Sequence, residues 1–571
     1  MKKLLFLFVA VVFAASSAFA QVNTSNVSQT GYMNTDFVMQ VGLYNNSDIN
    51  QLGLFNMANV DQDGFANYSD INQFFIANSA DVTQKGIFNG SLINQFGLLN
   101  SATVDQWGLL NMSMISQLGA FNNAGVTQIG LFNYSTISQS GFFNSANAWQ
   151  AGLGNGSSIT QGLFGNTALV GQLGAFNQSN VWQMGALSGA YVGQLGIANS
   201  STVSQFLTWG TMANVLQVGV RNRSNISQRF GIGNTATVLQ FGYRNMANVS
   251  QLGGYMNSAL VNQDGFLNRA RTTQLGGQFN NATITQFLGF NSAEAMQFRG
   301  YANKSYILQN GFFNRAYTLQ RWGEMNMATI DQNGSGNVAR TIQIGGGYNT
   351  ATTTQIGARN AAYVDQIAEV GGTVDVLQDG YRNFADVSQK WGYKDKATVK
   401  QYGDHQTAYI SQINGTRNRA RIVQLDHGNT AIIDQIGGVK NNAKIRQNGE
   451  HNFSFVGQFG GSMSSASVVQ RGDFNRGWVF QYDQDGSSAD IMQKGDGNVA
   501  VIAQMDGARN MAFISQTGDN NTGLTYQFGD DNSSHLEQIG NDHFGLVIQD
   551  GNDNFSFVQQ GNVGTSFVVT P

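Results

Sequence analysis

From Gln29 to Gln560 the chain places 48 glutamines in a single register, a regularity that no ordinary globular domain needs. The steps are eleven residues long from Gln29 through Gln40, Gln51, Gln62, Gln73, Gln84, Gln95, Gln106, Gln117, Gln128 and Gln139 to Gln205. They then alternate between twelve and eleven as far as Gln527 and close with three steps of eleven. Self-similarity at a fixed period marks a repeat array, in place of the three or four domains that 571 residues could otherwise hold.

Each unit reads Q-x-G-x-x-N-x-[AS]-x-[VI]-x-Q. Asn100, Ala102, Val104 and Gln106 fall on one side of an alternation, against Ser101, Thr103 and Asp105 on the other. Period two with a β-branched residue near the end is a strand signal, and the glycine stretch between strands is a turn. Val60, Val82 and Val104 alternate along the array with Ile71, Ile93 and Ile115, and Ala alternates with Ser two positions earlier, so the true period is 22, or 23 after Gln205. The extra residue always lies between Gln and Asn, which puts every enlarged arc on one side of a two-strand coil. The pattern predicts an all-β fold, a β-solenoid of about 24 turns with two strands per turn and a rise of about 4.8 Å.

In such a coil the inward glutamines stack turn upon turn. Their amides can donate N–H to the carbonyl above or below, forming ladders of the cross-β kind. Asn100, Asn111, Asn122, Asn133 and Asn144 are expected to form a second set of amide ladders. The Asn position admits Ser188, Thr211, Gly372, Asp395, Gln406, Ser464, Ser487 and His543. It borders the arc, where water or altered backbone can compensate. Of the apolar pair before Asn, such as Leu131 and Phe132, one member is expected to be exposed.

Composition agrees with a hydrogen-bonded array. Charged residues are 11% of the chain, against roughly 25% in typical globular proteins, and the one proline is Pro571. Residues 1–20 read as a secretory signal peptide, with Lys2 and Lys3, an apolar run from Leu4 to Ala15 and the cleavage motif Ala18-Phe19-Ala20. A membrane anchor is the alternative, but the run is short of the roughly 20 residues of a spanning helix, and no mature span is expected. Two further regions are expected: 21–205 with 22-residue turns, nearly uncharged, and 206–571 with 23-residue turns and more charge. From Gln106 to Val220 there is no charged side chain, a setting for self-association; fusion of two ancestral arrays is the other reading. The chain has no cysteine, and its net charge of -4 argues against a nucleic-acid partner held through phosphates.

The pattern resembles the curlin repeat of bacterial curli subunits, S-x5-Q-x4-N-x5-Q, with Gln106, Asn111 and Gln117 matching its Q-x4-N-x5-Q part. The resemblance extends from about Asn23 to the end of the chain. It implies an extracellular, cell-surface fibre of the amyloid type that supports biofilm matrix and adhesion. It also implies export through a dedicated outer-membrane secretion pore and nucleation by a related minor subunit. The array departs from the family in three ways: Asn100 and its equivalents replace the motif's serine, the array is several times longer, and the Gly-rich targeting segment is missing.

Both ends read as templates for another copy, so the expected partner is self, stacked head to tail. A monomeric adhesin stalk is the alternative. No enzyme is expected, because acidic residues are dispersed and no acid/base pair interrupts the repeat. No cofactor is expected. His405, His427, His451, His535 and His543 are too few and too scattered for a metal site and read as arc or surface residues. The late arcs Gly529-Asp530-Asp531-Asn532, Gly540-Asn541-Asp542 and Gly551-Asn552-Asp553 leave weak calcium binding open, with solvated turns preferred.

Overall fold

The computed structural model describes residues 22–561 and 565–570. The segment 1–20, read above as a signal peptide, and Pro571 lie outside the described residues. The chain falls into two compact units, one ending at Met256 and the other beginning at Asn257. Each is a β-solenoid of two parallel sheets, and no helix occurs among the described residues.

In the first unit nearly all strands are nine residues long, and successive strands alternate between the sheets. Asn123–Leu131 pairs with Ser145–Leu153, setting Gln128 opposite Gln150. Tyr134–Phe142 pairs with Gly156–Phe164, setting Gln139 opposite Gln161. The turn length rises from 22 to 23 within this unit, where Gln194 pairs with Gln217. Inward side chains form a thin interior: Ala124, Val126 and Gln128 from one sheet meet Ser135, Ile137 and Gln139 from the other, all at 1% exposure or less. Each buried Val or Ile contributes about 1.5–3 kcal/mol. The small Ala and Ser leave the sheets close enough for a glutamine to span the gap.

The arcs correct one expectation, since Leu131 and Phe132 are both exposed, at 42% and 53%. Two backbone inversions cause this. Gly130 has φ 119° and Phe132 φ 58°, so the chain reverses twice and points the interior-facing direction at Asn133 instead. Gly130 also allows close approach, because a Cβ there would lie 2.2 Å from the Gly152 carbonyl oxygen.

In the second unit nine-residue strands alternate over most of its length with seven-residue ones, for example Thr350–Ala358 and Ala361–Ile367. The longer arc follows the shorter strand and adds a one-residue parallel bridge, as Val370 makes to Gly347 and Tyr393. These enlarged arcs stack on one side of the unit, the outcome required by two strands per turn. Near the end the turn shortens again, with Gln527 opposite Gln549.

Candidate functional site: amide ladders, arcs and open edges

Each core glutamine repeats one set of bonds. Gln106 Nε2 donates to Gln128 Oε1 at 2.8 Å and to the Gly90 carbonyl at 2.9 Å, while its own Oε1 accepts from Gln84 Nε2 at 2.8 Å. Gly90 opens a strand of the opposite sheet, so a single side chain ties neighbouring turns and both sheets. Gln29, Gln51, Gln73, Gln95, Gln117 and Gln139 form one such ladder at 2.8–2.9 Å. Gln40, Gln62, Gln84, Gln106 and Gln128 form the other. Gln29 itself is exposed, because no described residue covers the outer side of the first turn.

The asparagines run the opposite way. Asn122 donates from Nδ2 back to Asn100 Oδ1 at 3.1 Å, Asn144 to Asn122 at 3.1 Å, and Asn133 to Asn111 at 3.0 Å. The same Oδ1 of Asn100 accepts the backbone N–H of Asn122 at 3.2 Å, and Asn100 Nδ2 reaches forward to the Gly119 carbonyl at 3.1 Å. Each asparagine therefore staples its own arc to the arc of the next turn. In the second unit Asn337 and Asn360 reach the preceding Oδ1 through backbone N–H, both at 3.0 Å.

This position is buried, which corrects the expectation that water covers its substitutions. Ser188, Thr211, Asp395, Gln406, Ser464, Ser487 and His543 are all at 2% exposure or less. Protein groups compensate. In a regular enlarged arc the third residue after Gln is glycine, as at Gly300, where a Cβ would stand 1.8 Å from Asn303 Nδ2. In three enlarged arcs where the asparagine is lost a larger side chain takes the glycine's place and fills the gap, whereas Asp395 and Ser464 keep their glycines, Gly392 and Gly461. Thr208 bonds Ser188 beside Thr211, Gln484 Oε1 accepts from Ser487 Oγ at 2.9 Å, and Glu369 occupies the space beside Gly372. Sequence reasoning missed this exchange, although its signal was there: non-glycine at Thr208, Glu369 and Gln484 coincides with non-asparagine three residues later.

The first turn carries another feature that the pattern concealed. Asp36 stands in register with Ala58, a fully buried position, and so occupies the inward Ala/Ser column. Its Oδ1 accepts from Gln29 Nε2 at 2.6 Å.

The histidines are less scattered than expected. His405, His427 and His451 stack on successive turns with ring centroids 5.0 and 5.5 Å apart, between Tyr381 and Phe474. They are arc residues, as their sequence positions indicate. No set of three or more His, Cys, Asp or Glu among the described residues is arranged to hold a metal ion. In the late arcs the polar oxygens bond neighbouring turns: Asp530 Oδ1 accepts the Ala508 N–H at 2.7 Å, and Asn552 Oδ1 accepts the Asp530 N–H at 2.8 Å. Asp531 pairs with Arg509 through Nε at 2.6 Å. On the outer faces of the first unit Asp81 lies near Asp105 and Asp61, and burial followed by these like charges pushes its carboxyl above the usual range. Exposed aromatic rings stack along the arcs, for example Phe121 on Phe143 at 4.8 Å.

No curated protein matches the chain. The family model of the curlin associated repeat matches it at residues 77–108, 485–518 and 518–544. The first segment holds the ladder residues Gln84, Gln95, Gln106, Asn89 and Asn100 in the geometry just described. The chain thus carries curlin-associated repeats, the family that its sequence resembles.

Proposed function

We propose that this chain is a secreted structural subunit that stacks head to tail into curli-like amyloid fibres outside the cell, where they support biofilm matrix and surface adhesion. What supports this most is the state of the terminal strands. Among the described residues, Thr24–Tyr32 and Thr35–Leu43 pair on one side only, with Asn46–Leu54 and Met57–Phe65. At the far end Phe555–Gln560 and Thr565–Thr570, among the described residues, likewise pair with preceding strands alone. Open parallel edges with apolar Phe557, Phe567 and Val569 more than half exposed are templates for another copy. The repeat family favours an extracellular structural role over catalysis; a related nucleator and a dedicated export pore are proposed as partners on the resemblance alone.

A monomeric surface stalk is the second reading, and Asp36 favours it. Stacking another turn on the first would bury that carboxylate, the kind of inward charge that blocks edge-to-edge growth. The mature chain, incubated at high concentration, decides between them. Fibres should bind thioflavin T and give a meridional reflection near about 4.7 Å. A chain that stays monomeric for days leaves the stalk.

A further inference from the structure

The enlarged arcs of the second unit enclose two carboxyl groups that the amide pattern does not use. Glu369 is fully buried and Asp395 is 1% exposed. They sit on successive turns of the same arc stack, where Val370 bridges to Tyr393. Gly372 stands where asparagine belongs, so the turn lacks the carboxamide that would accept the next backbone N–H. Glu369 replaces it: its Oε2 accepts the Gly392 N–H at 2.9 Å and its Oε1 the Asp395 N–H at 3.3 Å.

Asp395 is itself a stand-in for asparagine. Its Oδ1 does the asparagine's work, accepting the Asn418 N–H at 2.8 Å. Its Oδ2 takes the place of Nδ2, which in regular turns donates to a carbonyl of the next arc, as Asn303 does to Gly323 at 2.9 Å. The equivalent carbonyl here belongs to Gly415. Oδ2 has no hydrogen-bond partner. A Cβ built on Gly392 would lie 2.3 Å from Asp395 Oδ2, 2.5 Å from Glu369 Oε2 and 3.1 Å from the Gly415 oxygen, so three oxygens crowd one point, and the Gly392 N–H there is taken by Glu369 Oε2, leaving Asp395 Oδ2 without a donor. Ionising both carboxyls leaves Asp395 Oδ2 facing other oxygens unpaired, and a hydroxyl on either carboxyl supplies the missing donor.

We propose that Glu369 and Asp395 form a buried proton-binding site, in which a proton on Asp395 Oδ2 restores the bond an asparagine would make and locks this arc to the next.

Burial raises both groups, Glu369 to about 7 with Asp395 as the second cause, and Asp395 to about 6. Backbone N–H groups of Asp395 and Gly392 oppose the shift of Glu369. The other titratable groups on the packed arcs are Tyr348, Lys390, Tyr393, Lys394 and Arg417; Lys394 Nζ lies 4.9 Å from the Tyr393 ring, on the outer side. Because the folded values stand above those of the unfolded chain, about 3.9 for Asp and 4.3 for Glu, the stabilisation is complete in acid. It is lost as pH rises through about 6 to 7. The site lies inside one unit, so it holds for fibre and monomer alike.

Hydrogen exchange of the full mature chain, read on peptides covering residues 390–418 and corrected for intrinsic rates, tests the proposal. Protection in the unsubstituted protein should be at least about tenfold greater at about pH 5.5 than at about pH 8.5. Asp395→Asn, which installs the regular carboxamide, should keep its protection at the higher pH. Glu369→Gln should shift the loss to lower pH, because the group held near 7 is gone and Asp395, near 6, remains. Equal protection at both pH values in the unsubstituted chain overturns the site, as does Asp395→Asn losing protection as steeply. Failure of Asp395→Asn to form the solenoid overturns it too, because asparagine fills this position in regular turns.

Discussion

Gln106 and Gln128 stand opposite each other on neighbouring turns, joined by an amide hydrogen bond of 2.8 Å inside a fully buried interior. Replacing Gln106 by Leu leaves Gln84 Nε2 with the Tyr68 carbonyl but without its ladder acceptor, and takes from Gln128 Oε1 and the Gly90 carbonyl the donor they share. Each stranded group costs about 1–3 kcal/mol. Gln106→Leu should therefore lower the denaturation midpoint more than any single outward substitution on the same strand, and a chemical melt of the two variants measures it.

The buried serines predict the reverse. Ser47, Ser69 and Ser91 keep Oγ buried with no hydrogen-bond partner. Ser91→Ala removes an unpaired hydroxyl while keeping the shape of the core, and should be neutral or stabilising by up to about 1 kcal/mol. A measured loss of more than about 1 kcal/mol would mean that the hydroxyl has a partner after all.

The exchange between glycine and asparagine in the enlarged arcs should be transferable. Asn326→Gly removes a buried side chain that accepts the backbone N–H of Asn349 at 3.0 Å. Adding Gly323→Glu recreates the arrangement of Glu369 and Gly372, and in mild acid should recover much of the loss. A double-mutant cycle should give a favourable coupling of about 1–3 kcal/mol, whereas additive effects would show that the two positions do not share a space.

Asp36 makes a kinetic prediction. Asp36→Ala takes a carboxyl group out of the inward column of the first turn, where it stands in register with buried Ala58. Seeded growth of the proposed fibres should accelerate, with the melting of the soluble chain changed by less than about 0.5 kcal/mol. Unchanged elongation of seeds would take Asp36 out of the growth step.

Parallel stacking at one turn per period converts sequence spacing directly into three-dimensional neighbourhood. For that reason the sheets, their register and the pairing of Gln106 with Gln128 were legible from the recurrence alone. Any other arrangement puts a polar amide against apolar Val or Ile. The sequence by itself thus determined the two-strand turn, the inward identity of Ala, Val and Gln, and the side on which enlarged arcs accumulate. The arcs were different, because their backbone runs through left-handed conformations at residues such as Phe132, where alternation no longer states which way a side chain faces. Only the tertiary structure decided that Leu131 and Phe132 are both exposed, that the asparagine row is buried, and that Thr208, Glu369 and Gln484 fill the spaces beside lost asparagines. The stack of His405, His427 and His451 belongs to the same class. Spacings of 22 and 24 residues look irregular along the chain, yet a one-residue shift within a curved arc brings the rings into contact.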